Sequence, residues 1–129
     1  MSENNLKYSE ITGVIIREYF GVFNKFGYGF TAEIYKNSLT AALRQVTFLK
    51  LELEANKPLD IYYEMDMVGQ IHLDLVVNQK VMVLITATDK LELKNLKRLT
   101  NYLKISDYEV GLLLNYGEKL EYKRRGKSY

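Results

Sequence analysis

Asp74 is the side chain in this sequence whose surroundings most suggest chemistry, because it interrupts a run of aliphatic residues. In a strand over residues 70–77, His72, Asp74 and Val76 share one face and aliphatic residues share the other. Burial of a carboxylate without a partner is costly. We therefore expect Asp74 to have a hydrogen-bonding partner, to bind a metal ion or to be exposed. A structural role and a functional role stay equally open.

Other groups that could do chemistry are few. The 129 residues contain no cysteine and one histidine, His72. This excludes thiol catalysis, disulfides and cysteine-ligated zinc or iron–sulfur clusters, together with any site that needs two imidazoles. We expect His72 to be a surface or packing residue. The net charge of +2 is too small to imply nucleic-acid binding by itself.

The composition is that of an ordinary globular protein, with 47% hydrophobic and 26% charged residues. We expect a single domain over residues 1–129 with flexible ends at 1–7 and 124–129. No apolar run approaches the ~20 residues that a bilayer crossing requires, and the first residues lack the pattern of a secretory signal. The sequence therefore predicts a cytoplasmic protein with no membrane partner.

Three segments have the periodicity of helices. Apolar residues recur at three- and four-residue steps over residues 9–26 and 31–47. A third helix is predicted to run from Asp89, which forms the pattern of a capping box with Glu92, to about Lys104.

Further segments have the apolar character of strands, and two of them form a hairpin around Asn78 and Gln79. The predicted strands are residues 48–54, 59–63, 68–77, 80–88, 110–115 and 120–123. The resulting order is α-α-β-β-β-β-α-β-β. It indicates an α/β or α+β domain in which helices flank a central mixed β-sheet.

Four segments carry a family resemblance, namely residues 26–35 (FGYGFTAEIY), 68–77 (VGQIHLDLVV), 101–104 (NYLK) and 110–117 (VGLLLNYG). Together they resemble the GxxExxY proteins, small members of the PD-(D/E)XK nuclease-like superfamily, and the similarity covers nearly the whole chain. The resemblance implies a restriction-endonuclease-like core. In active relatives a helix Glu, a strand Asp and a next-strand Glu hold Mg²⁺ for phosphodiester cleavage, and a Lys two residues further on stabilises the attacking water.

The resemblance identifies the strand Asp of this motif with Asp74, but the rest of the strand motif is absent. The Glu-x-Lys positions fall on Leu84 and Thr86. Leu84 has no oxygen for a metal ion, and Thr86 has no charge to stabilise the transition state. We expect a vestigial site that apolar side chains partly close.

The helix positions of the family also differ in this chain. When Tyr35 is aligned with the motif Tyr, the helix Glu falls on Ala32. Glu33 is the next residue, about 100° further around the helix, so we expect it to point away from the required position. The Gln that relatives carry on the third helix falls on Arg98. The resemblance therefore predicts a nuclease fold without catalysis and without a cofactor.

An active Mg²⁺-dependent nuclease with a rearranged site is an alternative, in which other carboxylates rebuild the metal site. The candidates are Glu33, Glu64, Asp66 and Asp89. Each has a structural explanation, such as a turn, a helix cap or the first turn of a helix.

Two basic segments favour binding of DNA or RNA, because cations near aromatic rings hold phosphates and stack bases. They are the third predicted helix and the C-terminal segment. The candidate contacts are Lys94, Lys97, Arg98, Lys104, Lys123, Arg124 and Arg125. The alternative is that the helix presents a solvated face and that the C-terminal segment is a disordered, solubilising end.

The eleven tyrosines suggest a different function, that of a protein-interaction or regulatory subunit, because tyrosine is enriched in the cores of protein interfaces. Tyr62, Tyr63 and the predicted strand 48–54 could form an edge that pairs with a second copy or another protein. Alternatively, the tyrosines complete a small core with their hydroxyl groups at the surface.

Overall fold

The computed structural model describes residues 8–127; the expected flexible residues 1–7, and residues 128–129, lie outside this range. Within it, the helices and strands follow one another in the order α-α-β-β-β-α-β-β. The elements are α1 (Ser9–Phe26), α2 (Ala32–Arg44), β1 (Leu53–Tyr63), β2 (Asp66–Val77), β3 (Val81–Thr86), α3 (Leu93–Ile105), β4 (Val110–Tyr116) and β5 (Leu120–Gly126).

The strands form one five-stranded sheet in the order β1-β2-β3-β4-β5. β3 and β4 are parallel, and the other neighbours are antiparallel. Parallel neighbours need a crossover connection, and α3 provides it. The predicted fold class, a mixed sheet flanked by helices, is confirmed.

Two apolar clusters cover the two faces of the sheet. α1 and α2 pack on one face, where Ile15, Tyr19 and Leu39 join β-strand residues such as Val83 and Leu112. α3 packs on the other face with a smaller cluster that includes its own Leu99 and Leu103. Both faces of β3 and β4 are therefore buried, which explains why their sequences are almost continuously apolar.

The two long N-terminal helices begin and end close to the predicted residues. Thr31 caps α2, because its hydroxyl accepts a hydrogen bond from the Ile34 amide at 3.3 Å. α1 ends where Gly27 adopts a φ of 67° and its amide donates to the Phe23 carbonyl at 2.7 Å. None of the helices within residues 8–127 is both long and apolar enough to cross a bilayer.

The first strand differs from the prediction. The sequence predicts strands at 48–54 and 59–63, interrupted at Pro58, but residues 53–63 form the single strand β1. Pro58 lies opposite His72 in β2. β1 is at the edge of the sheet. Proline is tolerated there because its missing N–H can face the side on which no strand is bound. The sheet therefore has one strand fewer than the predicted order.

Two other element boundaries also differ. α3 begins at Leu93 with Glu92 at its N-cap, so Asp89 lies before the helix and does not cap it. The end of the chain is predicted to be flexible from residue 124, yet Arg124 and Arg125 belong to β5, where they pair with Leu112 and Gly111. Pairing with β4 orders this segment despite its charge.

Candidate functional site

Asp74 lies at the point where β2 and β3 separate. The ladder between these strands comprises three residue pairs, from Leu75↔Val83 to Val77↔Val81, and does not continue to Asp74. There the Asp74 Oδ2 atom accepts a hydrogen bond from the Ile85 amide at 2.8 Å. The Asp74 carboxylate therefore accepts the hydrogen bond that a backbone carbonyl would accept if the β2–β3 ladder continued.

Asp74 is surrounded by charges from both helical layers. Burial raises the pKa of its carboxyl group, whereas the hydrogen bond from Ile85 and the charges of Lys36 on α2 and Arg98 on α3 lower it. The charge of Glu33 raises the pKa of Asp74 further. The charges that act on Asp74 are thus those of Arg98 and Glu33, which the sequence analysis singles out, and of Lys36, which it does not.

Lys36 is the site residue that sequence reasoning missed. It is 7% exposed, and its Nζ donates to Asn56 Oδ1 at 2.7 Å. In β1, Asn56 lies across from Asp74, between the pairs Ala55↔Leu75 and Lys57↔Leu73. A signal was available in the sequence, because residue 36 follows residue 32 by one helical turn and so shares its face.

Glu33 differs from the expectation that it points away. Its side chain is 67% exposed, but its Oε2 atom lies 3.1 Å from Nζ of Lys36, three residues further along α2. Residues at this spacing are neighbours on a helix surface. The 100° rotation from Ala32 therefore does not remove the Glu33 carboxylate from the vicinity of Asp74.

The two substituted strand positions have structural partners. Leu84 is 2% exposed and belongs to the apolar cluster beneath α3. The Thr86 hydroxyl donates to Asn115 Oδ1 of the parallel strand β4 at 2.7 Å. Neither residue offers a free oxygen or a charge to Asp74.

Tyr35 positions the beginning of α2. Its buried ring stacks on that of Tyr116 with 4.1 Å between centroids, and its hydroxyl donates to the Gly27 carbonyl at 2.6 Å. These contacts join the α1–α2 connection to β4. The same layer contains Tyr19, whose hydroxyl donates to the Asn115 carbonyl, and burial raises the pKa values of Tyr19 and Tyr116.

The residues around Asp74 do not fit a magnesium site. Mg²⁺ requires hard oxygen ligands in near-octahedral geometry. Within residues 8–127, no group of three or more His, Cys, Asp or Glu side chains is placed to hold a metal ion. Asp74 already accepts a hydrogen bond, Glu33 is paired with a lysine, and both nearby cations would repel a metal ion.

The other carboxylates of the rearranged-site alternative lie elsewhere. Glu64 belongs to the turn of the β1–β2 hairpin, and Asp66 is the first residue of β2 after that turn. Asp66 lies eight residue steps before Asp74 along β2, which is roughly 26 Å at about 3.3 Å per residue. Asp89 is exposed in the segment before α3. None of these three side chains belongs to a group of acidic or histidine residues within 8–127 that could hold a metal ion.

A basic surface extends along α3. The helix contains four basic residues and no acidic one. Lys94, Lys97 and Lys104 are exposed, whereas Nε of Arg98 is buried and has no hydrogen-bond partner among the described residues. A merely solvated face usually interleaves both signs of charge, which stabilise a helix as pairs. Within α3 itself no acidic residue is available for such a pair, although Lys94 Nζ lies 3.7 Å from Oε2 of Glu92 at the N-cap.

β5 divides the basic C-terminal segment between the two faces of the sheet. Lys123 and Arg125 pair with Leu113 and Gly111, which lie beneath α3. Arg124 points to the opposite face, where its Nε donates to Thr12 Oγ1 of α1 at 3.5 Å and burial lowers its pKa. Lys123 and Arg125 therefore continue the α3 surface, and Arg124 does not.

The β1–β2 hairpin forms an arm with an apolar tip. From Asp66 to Asp74, on the turn side of Leu75, β2 is paired with β1 but not with β3. Near the turn, large apolar side chains are exposed, with Met65 at 93% and Tyr63 at 70%. The exposed large apolar residues of this tip are Tyr62, Tyr63, Met65, Met67 and Val68, and the exposed Glu64 and Asp66 lie among them.

A mixed sheet of this topology, covered by helices on both faces and carrying an acidic residue where two strands separate, has a restriction-endonuclease-like architecture. The sequence model of the PD-(D/E)XK nuclease superfamily matches residues 9–125. The chain belongs to this superfamily. No curated protein and no solved structure matches the chain.

Proposed function

We propose that this protein is a nuclease-fold module that has lost metal-dependent cleavage and binds DNA or RNA. The observation that carries the proposal is the positive charge that surrounds Asp74 and continues over α3 and one face of β5. Two cations, Lys36 and Arg98, act on this carboxylate. Further cations continue from there over α3 and along one face of β5.

The proposed loss of cleavage is supported by the side chains at the catalytic positions. Leu84 is packed into an apolar cluster, and Thr86 is bound to Asn115. The carboxylate of Glu33 is paired with Lys36. A metal ion at Asp74 would therefore have one protein carboxylate and would meet cations instead of further ligands.

Membership of the GxxExxY group is part of the same proposal. It is supported by the structural roles of the matching residues. Tyr35 fixes the segment before α2, and Asn115 binds the segment after β3. Gly117 is needed because a Cβ atom there would lie 2.6 Å from the carbonyl oxygens of Thr88 and Asp89.

A cleavage assay tests the loss of catalysis. Purified protein is incubated with Mg²⁺ or Mn²⁺ and with plasmid, linear duplex, single-stranded DNA and RNA. We expect no cleavage above the level of the Asp74→Asn variant. Cleavage by the wild type that Asp74→Asn abolishes would contradict the proposal and would favour the active nuclease with a rearranged site.

Mobility shifts at several salt concentrations test the binding. Each lysine that contacts a phosphate contributes close to one unit to the slope of log affinity against log salt. We therefore expect the Lys97→Ala/Lys104→Ala variant to lower this slope by about two and the affinity at least about tenfold. The control variant is Lys50→Ala/Lys80→Ala, which removes two exposed lysines outside α3 and β5. Absent binding at low salt, or equal losses in both variants, would contradict nucleic-acid binding.

A protein-interaction or homodimeric subunit is the second candidate, and the apolar tip of the β1–β2 arm favours it. Contiguous exposed apolar surface often marks a protein interface. Light scattering after size exclusion measures the mass of the wild type and of Tyr63→Lys. For a dimer through the arm, we expect Tyr63→Lys to be monomeric and the control Tyr28→Lys, at a second exposed tyrosine, to stay dimeric. A monomeric wild type over the accessible concentrations would exclude this candidate.

A further inference from the structure

The tip of the β1–β2 arm has charge of a single sign among its exposed apolar side chains. From Pro58 to Ile71 the chain contains three acidic residues, Asp60, Glu64 and Asp66, and no lysine or arginine. All three are exposed, and within residues 8–127 none of their carboxylates is in an ion pair. Because like charges repel, the tip does not suit a phosphate backbone. It suits a surface that is both apolar and basic.

The apolar side chains of the tip are not part of the protein's own core. They belong to neither apolar cluster of the sheet, whereas Leu59 and Ile71, which lie nearer to Asp74, pack against the cluster beneath α3. Two strands that pair only with each other are marginally stable in water. Contiguous exposed apolar surface often marks a site of interaction. A surface that covers the tip would therefore stabilise the arm.

The complementary surface lies along α3 of the same chain. This helix contains four basic residues and no acidic one. Its first and last residues, Leu93 and Ile105, are apolar and are 80% and 49% exposed. Lys123 and Arg125 of β5 extend the positive charge on this side of the sheet. The tip and the α3 surface therefore both combine exposed apolar side chains with charge, and their charges have opposite signs.

Within one molecule the tip and α3 lie apart. The arm extends from the edge of the sheet that β1 forms, whereas α3 packs on β4, and β3 lies between them. The turn of the arm is roughly 26 Å along β2 from Asp74. No ion pair joins the tip to α3 in the part of the chain that the structure describes. The α3 surface that the tip fits is therefore that of a second copy.

We propose that the tip of the β1–β2 arm docks on the α3 surface of a second copy, and that this contact competes with nucleic acid for the same cations. The competition rests on the proposed function, which assigns the α3 cations to phosphate binding. Carboxylates of the tip then take the place of phosphates. Self-association covers the nucleic-acid surface, and bound nucleic acid releases the arm.

A charge-swap experiment, measured by light scattering after size exclusion and by sedimentation, tests the contact. We expect the wild type to self-associate at low salt, and added salt to weaken this association because salt screens exposed charges. The tip variant is Glu64→Lys/Asp66→Lys, and the helix variant is Lys94→Glu/Lys97→Glu. Each alone should associate at least about tenfold more weakly than the wild type, because like charges then face each other. An equimolar mixture should associate again, since each variant supplies the charge that the other has lost.

Glu10→Lys/Glu52→Lys is the matched control. It makes the same change of charge as the tip variant at two exposed carboxylates outside the arm and α3. We expect it to self-associate like the wild type. If far-UV circular dichroism shows that the tip variant is unfolded, Glu64→Gln/Asp66→Asn is measured in its place and should also associate more weakly.

A single-stranded oligonucleotide added to the associated wild type tests the competition. We expect it to dissociate the protein into monomers that carry the oligonucleotide. Formation of nucleic-acid complexes that keep the full mass of the assembly would overturn the competition.

Failure of the docking and failure of the proposed function give different results. A wild type that stays monomeric at low salt, or a mixture of the two variants that does not associate, would overturn the docking and leave the mobility shifts unaffected. A wild type that associates through the tip but binds no nucleic acid at low salt would overturn the proposed function and the competition, and would support the docking.

Discussion

Asp74 and Asn115 are two polar side chains in neighbouring parts of the sheet, one on each side of β3, and they are held very differently. Asn115 is fully buried, and its amide accepts from the Thr86 hydroxyl at 2.7 Å and from the Thr88 amide at 3.0 Å, and donates to the Thr88 carbonyl at 2.8 Å. Asp74 is less buried, accepts a hydrogen bond from the Ile85 amide, and otherwise interacts with charges at longer range.

This difference distinguishes a polar side chain that stabilises the fold, Asn115, from one whose charge the fold disfavours, Asp74. Both the Oδ1 and the Nδ2 atom of the Asn115 side chain have hydrogen-bond partners, so the low dielectric of the interior strengthens its network. Asp74 has a raised pKa because its surroundings disfavour the ionised carboxylate. We expect replacement of Asn115 to lower the free energy of unfolding and replacement of Asp74 to raise it.

The largest effect is expected for Asn115→Leu. The substitution removes the partners of the Thr88 amide and carbonyl, which lie next to the buried end of β3. A buried donor or acceptor left without a partner costs about 1–3 kcal/mol, so we expect a loss of about 3 kcal/mol or more. Urea unfolding at neutral pH measures it.

Asn101→Ala is the control for this experiment, because Asn101 is exposed on α3. Its free energy of unfolding should stay within about 0.5 kcal/mol of the wild type. A comparable loss in both variants would show that the network around Asn115 does not stabilise the fold in the way described.

A smaller loss is expected for Gly117→Ala, which tests the backbone around the same network. The added Cβ atom would lie 2.6 Å from the carbonyl oxygens of Thr88 and Asp89. Since backbone atoms cannot move aside cheaply, we expect a loss of about 2 kcal/mol. In the control Gly111→Ala, the nearest atom is Cδ1 of Leu99 at 2.7 Å, the end of a flexible side chain. A larger loss at Gly111 than at Gly117 would contradict the comparison.

The parts of the fold that could be predicted are those specified by local pattern. The period of α1 and the turn at Asn78 and Gln79, both with positive φ, are local properties of the sequence. The continuity of β1 through Pro58 was not predictable in this way, since it depends on β1 being an edge strand. Local signals also suggested a cap at Asp89 that the helix does not use.

The candidate site shows the same division. Asp74 stands out because a carboxylate in an aliphatic strand needs an explanation. Lys36 does not stand out, because a lysine on a helix is usually solvated, and its burial depends on Asn56 in a distant part of the chain. The two faces of β5 could be predicted by alternation, but only once Arg124 and Arg125 are known to form a strand.

The smallest effect, opposite in sign, is expected for Asp74→Asn. Burial is the main cause of the raised pKa of Asp74, so the folded state binds this proton more tightly than the unfolded chain does. The ionised carboxylate therefore lowers stability above its raised pKa, and this cost disappears as the pH falls through that value to the unfolded pKa near 4. An asparagine amide is neutral, and its oxygen can still accept from the Ile85 amide.

We therefore expect Asp74→Asn to be more stable than the wild type at pH 7 and equally stable below about pH 4. Urea unfolding across this pH range measures the difference between the two proteins. Asp107→Asn, at an exposed position outside the sheet, is the control and should show no such gain at pH 7. If Asp74→Asn is less stable at pH 7, the carboxylate is a required partner of Lys36 or Arg98, and Asp74 belongs with Asn115 among the side chains that hold the sheet together.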